Sequence, residues 1–428
     1  MNPEQLLELA LKHGATTAEV YVSNSQSQPV YFEANRLKQL ENISSEGIAL
    51  RLWRNHQPGV AIAYGDIAPE TLVEKALAIS DLNEPEEIYL NSQSPQGSTQ
   101  AEYSEISQAQ LISYGEEAIA QITSKYPEVI CQSQWDYGYE SMRLINSLGL
   151  DCGQSDRTLD GSISAELVRD EDFLNIWQSH SERQNFATNL LTAPILQHLE
   201  WSSHNAAACQ GKVPIIFTAK AADTLWGIVA EACNGRHVRQ KTTPWLDKLN
   251  QLVISPDITL SQDPTLGIYS LPFDDEGTPT QSVTWIEKGI LKCFYGDRRT
   301  ASELNLQFTG NGFRGGLGSY PSPNLFNLII NSGSGNLLDL ISTISDGILI
   351  DQILGDSPDL SGDFSINIDL GYRIKQGKII GRVKDTMVSG NAYTALNNLI
   401  QLGSDRQWQG SLYTPSLIVG GLSVTSRN

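Results

Sequence analysis

At 428 residues the chain is longer than a single hydrophobic core usually serves, so two domains are expected. Its 49 acidic against 29 basic residues, a net charge of −20, leave it without the positive field that nucleic-acid binding requires. No uninterrupted apolar run approaches the roughly 20 residues that cross a bilayer, so no membrane partner is expected either.

The chain opens with a predicted helix over 3–13, where Leu6, Leu7, Leu9 and Leu11 sit among polar residues and Gly14 marks the stop. Period-two alternation then marks four strands, around Val20–Val22, Val30–Phe32, Ile48–Leu52 and Val60–Tyr64. A second helix is predicted over Pro69–Ser80, a long polar loop over 81–106, and a third helix over Leu111–Ser124. Strand-like segments run from Val129 to Trp177, and a helix over Gln184–Trp201 closes this half. The small-residue stretch His204–Gly211 is the expected boundary, dividing the chain into 1–205 and 206–428.

The second half opens on a short apolar strand, 213–217, and a helix over Thr218–Cys233 with Asn234-Gly235 as its stop. Beyond it the chain is rich in Gly, Pro, Asn and Asp between short apolar runs. The expected fold class is α+β: an N-terminal antiparallel sheet with helices on one face, then a β-rich domain with long Gly-rich loops.

Few motifs carry chemistry. None of the six histidines is followed by Glu, so no helix-borne zinc-protease motif begins anywhere. Cys233 and His237 are four apart, but Asn234-Gly235 should break the helix between them. That leaves Cys233 as a core residue and His237 as a loop side chain. The five cysteines are scattered with no C-x-x-C pair, which suggests neither a disulfide framework nor a zinc ribbon. With a polar, acidic opening segment, this points to the cytoplasm. Asp263, Asp274, Asp275 and Glu276, the last three in Phe273-Asp-Asp-Glu-Gly277, form a carboxylate cluster suited either to acid–base work or to bracing a tight turn. Gly310-Asn-Gly312-Phe-Arg-Gly315 matches a dinucleotide fingerprint in letters only, since no helix pattern follows it. A loop that lets another backbone approach closely suits it better.

Taken together in order, several segments resemble the TldD/PmbA family. They include Thr17-Ala-Glu-Val-Tyr21, Glu46-Gly-Ile-Ala-Leu-Arg51, Asp263-Pro-Thr265, Phe273–Gly277, Gly289-Ile-Leu-Lys292, Thr309-Gly-Asn311, Asn327–Ile330, Gly362-Asp-Phe-Ser365 and Pro415–Gly421. The match is closer to the PmbA (TldE) branch. The resemblance implies a subunit of a heterodimeric zinc metalloprotease that degrades or trims unfolded peptides, in a family also called modulators of DNA gyrase. It implies a zinc site in a TldD-like partner, built on a His-Glu-x-x-x-His helix and a later Cys. Here that hexapeptide corresponds to Ala230-Glu-Ala-Cys-Asn-Gly235, so Ala230 and Gly235 replace both histidines and only Glu231 remains. No metal or other cofactor is expected in this chain.

The resemblance makes the chain a non-catalytic subunit whose loops shape a substrate channel for extended peptide, held through main-chain hydrogen bonds. Phe273, Asp274, Asp275, Glu276 and Gly277, with Thr309, Gly310, Asn311, Gly312 and Arg314, are the channel candidates. Two other readings stay open: a stand-alone hydrolase using the carboxylates or a cysteine, and a non-proteolytic binding protein acting on gyrase or another partner.

Overall fold

The structure is a computed structural model that describes residues 2–95, 105–169, 172–355 and 358–426. Helix α1 (Pro3–Lys12) starts on Asn2, whose side chain accepts the Gln5 N–H, and ends before Gly14. Strands β1 (Thr17–Ser27), β2 (Val30–Glu33), β3 (Arg36–Leu40), β4 (Ile43–Arg54) and β5 (Gln57–Tyr64) follow, then α2 (Pro69–Ser80). Five strands thus lie where alternation marks four. All five residues of β3 are exposed, so that strand has no apolar face to create a period-two signal.

Leu6 and Ala10 of α1 and Leu72, Val73 and Ala76 of α2 pack on Ala18 and Val20 of β1 and Leu50 and Leu52 of β4. The expected loop shows no helix or strand over 81–95, and residues 96–104 lie outside the described part. Helix α3 (Gln108–Thr123) precedes three long strands, β6 (Ile130–Asn146), β7 (Asp151–Arg169) and β8 (Asp172–Glu182). Helix α4 (Asn189–Trp201) begins later than its apolar pattern suggests. The sheet runs β3-β2-β6-β1-β4-β5, with β7 and β8 continuing from β6.

In the second half, strand Ile215–Phe217 lies parallel to Asp346–Leu354 and antiparallel to Leu417–Val419, inside a nine-stranded sheet. A six-stranded sheet holds Leu260–Gln262, Val283–Glu287 and Leu328–Ile330. The expected helix over Thr218–Cys233 is shorter, spanning Asp223–Ala232. Asn234 does not merely end it. Its side chain accepts the Arg236 N–H and caps a second short helix, Gly235–Gln240. The mixed α+β class and the β-rich second half are as expected.

Residues from both sides of position 205 fill a common core, with Val30, Trp135 and Leu174 alongside Ile216, Leu349, Tyr372 and Ile418. Polar bonds fix the same junction. Gln352 accepts the Trp177 N–H at 3.0 Å and donates to the Asn175 carbonyl at 3.0 Å. Buried Asp351 accepts from Thr218 Oγ1 at 3.0 Å and lies 3.4 Å from both His198 Nε2 and Lys220 Nζ.

Candidate functional site

The segment Phe273–Gly277 forms a turn that grips the Gly-rich loop. Asp274 Oδ1 accepts the N–H of Glu276 at 3.0 Å and of Thr278 at 2.9 Å, and its Oδ2 accepts the Gly312 N–H at 2.8 Å. Asp275 donates its own N–H to the Gly312 carbonyl, and its Oδ2 accepts the Arg314 N–H at 2.8 Å. Glu276 Oε2 accepts the Arg298 N–H at 2.7 Å. A Cβ at Gly312 would fall 2.2 Å from that same Glu276 oxygen, so any larger residue must displace the carboxylate that the Arg298 N–H holds.

Behind this clamp, Asn311 Nδ2 donates to Gln262 Oε1 at 3.0 Å and to the Asn324 carbonyl at 2.9 Å, while Thr309 Oγ1 donates to Asn311 Oδ1 at 2.7 Å. Buried Phe273 packs on Leu144, Leu150 and Cys152 of the N-terminal sheet. The turn therefore ties the loop to both halves.

Burial sets the electrostatics. It pushes the Asp274 carboxyl up to about 7 despite three N–H donors, and raises Asp275 against the pull of Arg314. Glu276 rises well above the usual range through burial and the nearby Asp274 charge. Proton-holding carboxyls are thus present, but both oxygens of Asp274 and Oε2 of Glu276 are committed to backbone N–H groups of the clamp.

A second cluster joins the clamp to the first half. Arg314 donates from Nη2 to Glu19 Oε1 at 2.6 Å and lies 4.7 Å over the Tyr21 ring. Arg51 donates to the same Glu19 oxygen at 2.8 Å. Glu19, only 2% exposed, is thereby flanked by two guanidinium groups.

Between the halves lies a cavity of about 700 Å³, walled by Tyr21, Met142, Asp156, Leu271, Asp275 and Phe326 among others. Arg183 holds one wall, donating to Asp156 at 2.8 Å, the Ile268 carbonyl at 3.0 Å and Ser270 Oγ at 3.0 Å. A smaller cavity of about 230 Å³ adjoins Tyr21, Asp275, Arg314 and Leu317, and one of about 170 Å³ adjoins Arg51, Glu276 and Tyr320. Of the ten channel candidates, Asp275, Glu276 and Arg314 line these three cavities. Phe273, Asp274, Gly277, Thr309, Gly310, Asn311 and Gly312 line none of the three.

Sequence reasoning missed Glu19, Tyr21, Arg51, Asp156 and Arg183. A signal existed in β1, where Glu19, Tyr21 and Ser23 alternate with Val20 and Val22. That pattern reads as a solvent-facing side, yet the second half covers it.

Ala230–Gly235 straddles two helices. Glu231 Oε2 lies 3.0 Å from His237 Nε2 and accepts from Asn234 Nδ2 at 3.3 Å, while His237 Nδ1 lies 3.1 Å from Thr242 Oγ1. His237 therefore belongs to the short second helix and pairs with Glu231, rather than hanging in a loop. Cys233 is buried, which pushes its thiol up. At Gly235 a Cβ would sit 2.7 Å from the Tyr295 carbonyl oxygen and 2.8 Å from Thr300 Cγ2. Among the described residues no three His, Cys, Asp or Glu side chains converge as ligands. The donors at this hexapeptide do not fit a catalytic zinc, which needs at least three protein ligands.

A model of the PmbA/TldA metallopeptidase C-terminal domain matches residues 210–426, and one of PmbA/TldA metallopeptidase domain 1 matches 18–80. The chain belongs to the PmbA/TldD metallopeptidase family. It is 29% identical over 217 residues to a metalloprotease PmbA homologue of Buchnera aphidicola subsp. Baizongia pistaciae, a match covering 50% of this chain and 46% of that protein. The chain thus spans about half the length of that relative. An uncharacterized protein of Methanocaldococcus jannaschii is 26% identical over 438 residues, covering 98% of this chain and 99% of the other. The fold is that of TldE from Thermococcus kodakarensis, with a TM-score of 0.90, 22% identity and 99% of each chain covered. Among the described residues no helix is long and apolar enough to cross a membrane.

Proposed function

We propose that this chain is the metal-free subunit of a two-chain zinc metalloprotease, with unfolded peptide held in the cavity between its halves and cleaved at zinc carried by a TldD-like partner. The observation that carries this reading is position 235. The second histidine of the family's zinc motif would fall there, on a glycine whose Cβ direction is filled by the Tyr295 carbonyl. With Ala230 at the first histidine position, Glu231 has lost the metal whose water it would activate, and it pairs with His237 instead. The cavity volume suits an extended segment of chain, and the Asp274–Gly312 clamp holds its wall rigid. The five cysteines, all unpaired, agree with a reducing compartment, the cytoplasm.

The test is degradation of an unfolded peptide by this chain alone, by a His-Glu-x-x-x-His paralogue alone, and by the two mixed. Activity confined to the mixture, or far higher there, and abolished by a zinc chelator is the expected result. Peptidase activity from this chain alone would overturn the proposal and return attention to Asp275 and its neighbours.

A further inference from the structure

The charges around the large cavity do not balance. Glu140 of β6 and Asp156 of β7 are directly opposed across the two strands, and both line the cavity. Like charges so placed repel each other. Asp156 is relieved by Arg183, 2.8 Å away. Deeper in, Glu19 and Asp275 are matched by Arg51 and Arg314. Glu140 is left over, exposed and without an ion pair among the described residues. Asp275 also keeps acceptor capacity toward the cavity, since among the described residues its Oδ1 accepts only from the Tyr21 hydroxyl, at 3.5 Å.

The wall also presents apolar groups, Met142, Ile268, Leu271, Pro272 and Phe326, beside uncharged polar residues such as Ser23, Gln154 and Thr280. A long aliphatic stem ending in a cation satisfies both surfaces at once, the stem along the apolar wall and the charge at the carboxylates. We infer that this cavity selects a lysine or arginine side chain of the bound peptide, with Glu140 as the main receptor for its charge and Asp275 as the second. This rests on the reading of the cavity as the peptide channel and adds a side-chain preference to it. The net charge of −20 draws cationic segments toward the protein in the same direction.

The experiment uses the full chain and fluorescence anisotropy at low ionic strength. Two end-blocked, unstructured peptides are compared, alike except for one central lysine or norleucine, so that stem length is kept and charge removed. The lysine peptide is expected to bind on the order of fivefold more tightly, with the gap narrowing as salt is added. In Glu140→Gln most of that preference is expected to be lost, leaving only the smaller share that Asp275 supplies. Equal binding of the two peptides to the unaltered chain would overturn the basic-side-chain preference while leaving the channel intact. A preference undiminished in Glu140→Gln would overturn the role given to Glu140. Binding of neither peptide would overturn the channel reading and this inference together.

Discussion

Around Glu19 and Val20 the two faces of the N-terminal sheet are both buried, by opposite means. One face puts Val20, Leu50 and Leu52 against α1 and α2, and its burial rests on apolar area. On the other, one residue along in β1 and β4, Glu19 and Arg51 face the second half and meet Arg314. Apolar packing tolerates small displacements, whereas a carboxylate between two guanidinium groups holds only near one geometry. The oily face holds helices on a sheet, and the ionic face fixes where the second half sits over the cavity.

The sharpest way to break this contrast is to remove Glu19. Glu19→Ala leaves Arg51 and Arg314 buried without their shared partner and is expected to cost about 3–5 kcal/mol in urea unfolding. Leu50→Ala on the oily face is expected to cost about 3 kcal/mol, and to disturb the cavity less. A Glu19→Ala loss no larger than a surface substitution would mean that the ionic face holds nothing. Gly312→Ala, which drives a methyl into the Glu276 carboxylate, is expected to cost about 1–3 kcal/mol by thermal or urea unfolding.

A subtler probe is pH. Folding raises the carboxyl pKa of Asp274, to about 7, and of Glu276, so the folded chain holds these protons more tightly than the unfolded one. Their contribution to stability is therefore fullest below the ordinary carboxylate range and is lost as pH rises from about 4 toward 7. Glu276→Gln should flatten that decline in denaturation midpoints measured across the window. An unchanged slope would show that these carboxyls do not govern it.

Helices α1 and α2 were legible almost to the residue, because Gly14 and Pro69 punctuate an apolar stripe. Strand β3 was not, since it buries no side chain, and the start of α4 was blurred by Phe186 and Ala187, which extend its apolar pattern ahead of Asn189. The clamp was half legible. Asp274-Asp-Glu and the glycines of 310–315 stand out in composition, but nothing local says that one grips the other across 38 residues, as Asp274 does Gly312. Glu19 and Arg314 lie 295 residues apart, so their pairing is a property of the folded chain alone. Arg314 stood out as a channel candidate, but nothing local linked it to Glu19.

The Tyr295 carbonyl beside Gly235 also bears on the history of the chain. A histidine placed at 230 would gain no companion at 235, where any side chain needs Tyr295 and Thr300 to retreat first. No single substitution gives this hexapeptide two imidazoles, and the second would meet the backbone that fills its space, so on the proposed reading a metal centre has no gradual path here.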